Sequence, residues 1–346
     1  MTRILLVKLS SMGDLIQLLP ALSDAAAARP ELRFDWVADA AFAEIPRWHP
    51  AVDRVIVSAH RRWRRNPGEF LRRGARAWLG ELRARRYDLV IDAQGAWKSA
   101  LVTALARGPG AGLDRRSIRE PGAHWLYRYR HPVPRRQLAI ERWRALLAAA
   151  IGYPRPAGAP DFGLAGRTWP APPVKAEAPV LTFIANATWP TKHWPAGHWR
   201  ELIARAGEAG YRVVLPWGCE PERRRAKDLA AGREHVLVPP RMSLAEVAGV
   251  LCSSAAVLSV DTGLAHLAAA LGRPTLTLYG PTDPRLIAAT GPGADPLQAA
   301  GRPCVPCGRR RCHTPDYRGP EARCLHELTP ALAWARLLRV LSASRT

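Results

Sequence analysis

Apolar residues in this chain fall into two kinds of run, short continuous ones and longer ones at helical spacing, and the two kinds alternate in two successive series. In the first half, RILLVKL at 3–9, LRFDWVA at 32–38, RVIVSA at 53–58 and DLVIDA at 88–93 read as strands buried on both faces. Helical stretches are predicted between them at 40–46 and 68–85 and after Lys98, and an amphipathic stretch at 135–150 closes the half. Residues 156–178 are dense in Pro, Gly and Ala with weak periodicity, which predicts a linker. A second series follows, with strands predicted at 179–185, 211–217, 235–239, 256–260 and 275–279 and helices at 197–209, 220–231, 243–253 and 264–271. Such alternation predicts an α/β architecture of two Rossmann-like, doubly wound domains, 1–155 and 179–346, facing across a cleft. A last striped helix, 329–343, is expected to pack back across that cleft.

Composition narrows the class. With 346 residues and 48% hydrophobic content the chain can bury two ample cores. Its apolar runs fall short of the roughly 18 residues that a membrane span needs. The opening MTRILLVKLSSMGD carries charges where a signal peptide needs an unbroken apolar core, so the expected location is the cytoplasm. The six cysteines are then expected to be reduced thiols or metal ligands. A formal charge of +22, almost all from arginine, points to anionic partners.

The candidate chemistry lies at strand ends, where α/β sheets place their ligands. After the first strand come Ser10, Ser11, Gly13 and Asp14; Asp14 is either a reactive carboxylate or part of a helix cap. HRRWRR follows the third strand, and Arg61, Arg62, Arg64 and Arg65 there suit phosphates and carboxylates, with Lys98 expected on the same rim. The tryptophan among them equally suits stacking on a base, which keeps single-stranded nucleic acid open. In the second half, NATWPTKHWP offers Thr188 and Lys192 to a diphosphate, and WGCEPERRR places Glu222 in a first helical turn. PPRMS sets Met242 beside two prolines, either as turn and core or as an apolar slot for a flat base. SVDTGLAHL is a strand, a tight turn and a helix. Asp261, Thr262 and Gly263 sit where backbone N–H groups and a helix dipole converge on an anion, and His266 lies one turn further on. No GxGxxG follows the first strand and no GxxxxGK occurs, which argues against dinucleotide and P-loop chemistry.

VKLSSMGD, FDWVAD, the HRRW cluster, YDLVIDAQGAWKSA, TKHWP, LPWG, SVDTGLAHL and LYGPTDP follow one another over nearly the whole chain. In this the sequence resembles glycosyltransferase family 9, the lipopolysaccharide heptosyltransferases, and SSMGD and KHWP look more like its heptosyltransferase I branch than its heptosyltransferase II branch. The resemblance implies a GT-B fold and an inverting transfer of L-glycero-D-manno-heptose from ADP-heptose to the Kdo of Kdo2-lipid A. It implies no required cofactor, and a monomer working peripherally at the cytoplasmic face of the inner membrane without nucleic acid. By position, Asp14 matches the general base, and Thr188 and Lys192 match contacts to the donor phosphates. Glu222 matches a ribose contact, Met242 lies at the adenine pocket, Asp261 matches a heptose contact, and Thr262 with Gly263 matches the diphosphate turn that His266 adjoins. Ser10, Ser11, Gly13, Arg61, Arg62, Arg64, Arg65 and Lys98 fall in the acceptor region. The pattern departs at the donor loop, where Ala187 precedes Thr188 in place of a second hydroxyl. Cys304, Cys307, Cys312 and Cys324 have spacing that suits a Cys₄ zinc site, although similar cysteines in relatives serve no catalysis. The competing readings are another nucleotide-sugar transferase of the same fold and an arginine-rich nucleic-acid binder.

Overall fold

The computed structural model describes residues 2–60, 74–173, 177–315, 317 and 319–343. The chain divides into two units, Met1–Ala165 and Gly166–Thr346.

The first unit is built on strands β1 (Thr2–Val7), β2 (Leu32–Asp39), β3 (Val52–Ser58), β4 (Leu89–Asp92), β5 (Gly110–Leu113) and β6 (Tyr129–His131). All pairs are parallel, in the order β3-β2-β1-β4-β5-β6. Helices α1 (Met12–Ile16), α2 (Leu19–Ala28), α3 (Ala75–Leu82), α4 (Trp97–Leu105) and α5 (Ala139–Ile151) belong to the same unit. Ile4 to Val7 are at most 1% exposed, which is why β1 reads as an unbroken apolar run: helices cover both faces of a parallel sheet.

The second unit repeats the plan with β7 (Val180–Ile184), β8 (Arg212–Val214), β9 (Val236–Leu237), β10 (Ala256–Val260), β11 (Thr275–Tyr279) and β12 (Ala294–Gln298). Their order is β12-β11-β10-β7-β8-β9, again wholly parallel. Its helices are α6 (Ala196–Glu208), α7 (Glu220–Ala230), α8 (Leu244–Ser253), α9 (Gly263–Ala270), α10 (Pro284–Ile287) and α11 (Pro330–Ala343). In each unit the first and fourth strands are neighbours, so the strand order reverses between β1 and β4 and between β7 and β10. At such a switch point the loops leave the carboxyl ends on opposite sides and open a crevice that takes ligands.

Three strands escape the hydrophobic pattern, β5, β6 and β12. In β5, GAGL, packing dictates glycine: a Cβ on Gly112 would lie 2.5 Å from the Tyr127 ring. That ring cannot yield cheaply, because Tyr127 is buried and donates to Asp92 Oδ2 at 2.7 Å. Gly112→Ala is therefore expected to destabilise the first unit by about 1–3 kcal/mol. Urea unfolding reads this as a lower midpoint at unchanged slope, and an unshifted midpoint would contradict the packing argument.

The helix predicted at 40–46 does not form. The Asp39 side chain accepts from Ala41 N at 3.0 Å, a local bond that competes with helix, and turns run on to a short 3₁₀ segment at Pro46–Trp48. Of the helix predicted at 68–85, residues 68–73 lie outside the described residues and α3 covers 75–82, the chain turning at Arg83 before the predicted end. Helix α11 spends its stripe within its own unit, with Ala333, Leu337 and Leu341 in the core formed with Trp199, Leu258 and Leu276. Residues 156–165 are tied to the first unit: Phe162 and Leu164 are buried, and Arg144 donates to the carbonyls of Pro156 and Gly158.

Candidate active site

At the switch point of the first unit, α1 starts directly after the β1 loop, and Asp14 stands at its third position with Ser11 as N-cap. Both Ser11 N and Ser11 Oγ donate to Asp14 Oδ2, at 2.9 and 2.7 Å. The carboxylate is thus a capping partner and a half-exposed acid at once. Its other oxygen, Oδ1, lies 3.5 Å from Lys8 Nζ. Lys8 is 2% exposed, donates to Ala93 O at 2.8 Å and sits 3.8 Å from the centroid of the Trp143 ring on α5. Burial pulls the Lys8 ammonium below its ordinary pKa, while Asp14 and then Asp92 pull it back up.

The facing loop after β4 is equally fixed. Asp92, fully buried, accepts from Gln94 N at 2.7 Å and Gly95 N at 3.0 Å, folding a turn that needs the positive φ of Gly95, +67°. Burial raises the Asp92 carboxyl, against the lowering pull of these bonds and of Tyr127. Gln94 Oε1 accepts from Leu9 N at 2.8 Å, and Lys98 Nζ lies 3.4 Å from Ser10 Oγ, so the two loops are bonded to each other. Ser10, Ser11, Gly13, Asp14 and Lys98 therefore share one sheet edge, as expected from the sequence. Arg61, Arg62, Arg64 and Arg65 lie outside the described residues.

In the second unit, Lys192 follows β7 and Asp261 follows β10, and Lys192 Nζ meets Asp261 Oδ2 at 2.7 Å. Thr282 Oγ1 donates to the same oxygen at 2.6 Å. The lysine loop is anchored at its sides: buried Thr191 donates to Arg309 O at 2.9 Å, and the Trp189 ring lies 4.8 Å from Lys192 Nζ and 4.9 Å from the Arg310 guanidinium. Ala187 meets His193 Nε2 through its carbonyl at 2.8 Å, and exposed Thr188 follows it. Beside the Lys192–Asp261 pair, α9 begins at Gly263 with Thr262 as an extended N-cap that makes no side-chain cap bond. That helix end therefore presents its first-turn N–H groups without a side-chain oxygen over them, a geometry suited to phosphate.

Glu222 and Met242 follow β8 and β9, on the same edge of the parallel sheet. Glu222 Oε2 accepts from Gly218 N at 2.7 Å in the first turn of α7, and Met242 precedes the Ser243–Glu246 capping box of α8. Trp217 joins these two loops by donating to Pro239 O at 2.7 Å. His266 is buried within α9.

Cys304, Cys307, Cys312 and Cys324 are free thiols, and among the described residues no group of three or more His, Cys, Asp or Glu side chains could hold a metal ion. Cys324 is buried and its thiol is pushed up to about 12, by burial first, while Cys304 and Cys307 are exposed.

Sequence reading passed over Lys8, Thr282 and Trp217. The signal for Lys8 was present: a lone lysine inside a run buried on both faces must be paired, and its loop neighbour Asp14 is the partner. Thr282 and Trp217 lie within LYGPTDP and LPWG, but their partners Asp261 and Pro239 are distant in sequence and no local pattern names the pairing.

Residues 76–318 match the model of glycosyltransferase family 9 (heptosyltransferase). Lipopolysaccharide heptosyltransferase 1 of Pseudomonas aeruginosa is 48% identical over 355 aligned residues, covering 99% of both chains. Among solved structures, E. coli heptosyltransferase WaaC with ADP superposes with a TM-score of 0.85 at 41% identity, covering 98% of this chain and 100% of that one. WaaC with ADP-2-deoxy-2-fluoro heptose gives 0.82 at 41% identity, over 98% and 99% of the two chains. From its sequence and from its fold, the chain belongs to glycosyltransferase family 9, the heptosyltransferases.

Proposed function

We propose that this protein is an inverting heptosyltransferase that moves L-glycero-D-manno-heptose from ADP-heptose to the Kdo of Kdo2-lipid A. The observation that carries the reading is the identity of 48% over 99% of both chains with a lipopolysaccharide heptosyltransferase 1. The local chemistry supports it. Inversion by direct displacement requires a base for the acceptor hydroxyl and stabilisation of the departing diphosphate. Asp14 supplies the first, held in orientation by Ser11. Lys192 and the open end of α9 at Thr262 and Gly263 supply the second. When the donor binds, its phosphates draw Lys192 from Asp261, and Asp261 becomes an acceptor for heptose hydroxyls. Glu222 and Met242 serve the ribose and adenine ends of the donor, and Lys98 with the arginine run after β3 serves the anionic acceptor.

Lys8 acts through Asp14 as a positioning residue. An ammonium 3.5 Å from the carboxylate favours its charged, proton-accepting form. Lys8→Met is expected to move the acid limb of the kcat/KM profile to higher pH while the KM for donor stays unchanged. A scaled-down profile of unchanged shape would reduce Lys8 to a packing residue.

No helix among the described residues is long and apolar enough to cross a membrane. In the proposed setting the protein meets its lipid acceptor as a peripheral enzyme at the cytoplasmic face of the inner membrane. Incubation with ADP-heptose and Kdo2-lipid A tests the function. Acceptor-dependent release of ADP is expected, and release that does not depend on acceptor, or requires an already heptosylated one, would overturn the assignment.

A further inference from the structure

Of the eight large apolar side chains exposed among the described residues, five fall between residues 97 and 129. Trp125 is 70% exposed, Leu101 55% and Trp97 46%, with Leu126 and Tyr129 beside them in sequence. Trp97 and Trp125 meet on one face of the first unit. Both tryptophan rings flank Gly122, and Leu101 lies one turn along α4 from Trp97. An open concavity of about 600 Å³ between the tryptophans is also lined by Arg115 and Arg116, and the Arg128 guanidinium lies 5.5 Å from the Tyr129 ring centroid. The nearby carboxylates are engaged with backbone: Glu120 accepts from Trp97 N at 2.8 Å and Asp114 from Ser117 N at 2.8 Å.

Exposed tryptophan, tyrosine and leucine interleaved with arginine fit a surface that is apolar in depth and anionic at its rim. An anionic bilayer presents that layering, and the formal charge of +22 complements it. The face also adjoins the acceptor loop, since Lys98, whose Nζ is 3.4 Å from Ser10 Oγ, directly follows Trp97.

We propose that this face seats the first unit on an anionic lipid bilayer, with Trp97, Leu101 and Trp125 entering the boundary between headgroups and acyl chains and Arg115, Arg116 and Arg128 meeting lipid phosphates. The proposal rests on the reading above that the acceptor is an anionic glycolipid: docking here brings the acceptor loop to a sugar whose acyl chains stay in the membrane.

The test is flotation with vesicles that contain neither donor nor acceptor. The wild-type protein is expected to float with phosphatidylcholine vesicles holding roughly one-third phosphatidylglycerol and to float poorly with phosphatidylcholine alone. The double variant Trp125→Ser, Leu101→Ser is expected to lose roughly tenfold or more in partitioning, and Arg115→Glu, Arg116→Glu to lose the preference for phosphatidylglycerol. Thermal unfolding of the variants, all altered at exposed positions, should match wild type. Undiminished flotation of the double variant overturns the proposal, as does sedimentation showing that the face instead joins two copies of the chain, with a wild-type dimer that the double variant dissolves. Transfer to an acceptor lacking acyl chains reads the function separately: if it fails while flotation behaves as expected, the assignment of activity falls and the docking surface stands.

Discussion

Replacing Asp14 with alanine is expected to lower kcat by about 10²–10⁴-fold, the range that a positioned general base contributes, while affinity for ADP stays within about twofold of wild type. The asymmetry follows from placement. Asp14 belongs to the β1 loop of the first unit, while the proposed diphosphate cradle is built from the β7 and β10 loops of the second. Alanine also removes a cap partner from α1, a loss worth about 1 kcal/mol that could itself disturb the loop. Asp14→Asn separates the two effects. The amide oxygen still accepts from Ser11 but takes no proton from a hydroxyl, so asparagine is expected to be nearly as inactive as alanine while it keeps the cap, the loss of charge opposite buried Lys8 being common to both variants. Near-normal turnover in the asparagine variant would remove Asp14 from the role.

Lys192→Ala is expected to cost about 10²–10³-fold in turnover, the usual effect of removing one donor to a developing negative charge. It should also weaken ADP, since the ammonium stabilises the diphosphate in the ground state as well as in the transition state. The variant leaves Asp261, 4% exposed, with Thr282 as its remaining partner in the Lys192–Asp261–Thr282 arrangement, and an uncompensated buried carboxylate opposes anion binding further. Lys192→Arg restores charge but substitutes a planar fork for a compact point charge, so it is expected to recover only part of the loss. A kinetic comparison of the three proteins with varied donor checks this. Full activity in Lys192→Ala would leave the leaving group to the α9 terminus alone.

Legibility of the fold followed burial. β1 and β10 lie inside fully covered sheets and spell themselves out as apolar runs, whereas β5 is glycine-rich because Tyr127 occupies the space beside it, and β9 is two residues long. The 40–46 stretch had helical composition, but Asp39 bonded to the backbone two residues on and turned the chain instead. At the candidate site, the positions of Asp14 after β1, Lys192 after β7 and Asp261 after β10 are legible because each lies on a loop that follows a legible strand. The pairing between Lys192 and Asp261 was not legible, because only the sheet order makes β7 and β10 neighbours. It changes the chemistry, since the two residues assigned to phosphate and to sugar hold each other in this structure. Local pattern left Asp14 between cap and base, and the structure shows why: Oδ2 is engaged in the cap while Oδ1 faces Lys8.

The central claim is that Asp14 and the Lys192–Thr262 cradle serve two different needs of one displacement. The measurement that tests it most directly is a crossed comparison of ADP affinity by calorimetry and single-turnover transfer by rapid quench in Asp14→Asn and Lys192→Ala. The account predicts that both variants lose transfer and that only Lys192→Ala loses ADP. Equal loss of ADP in the two variants, or transfer retained in either, would contradict it.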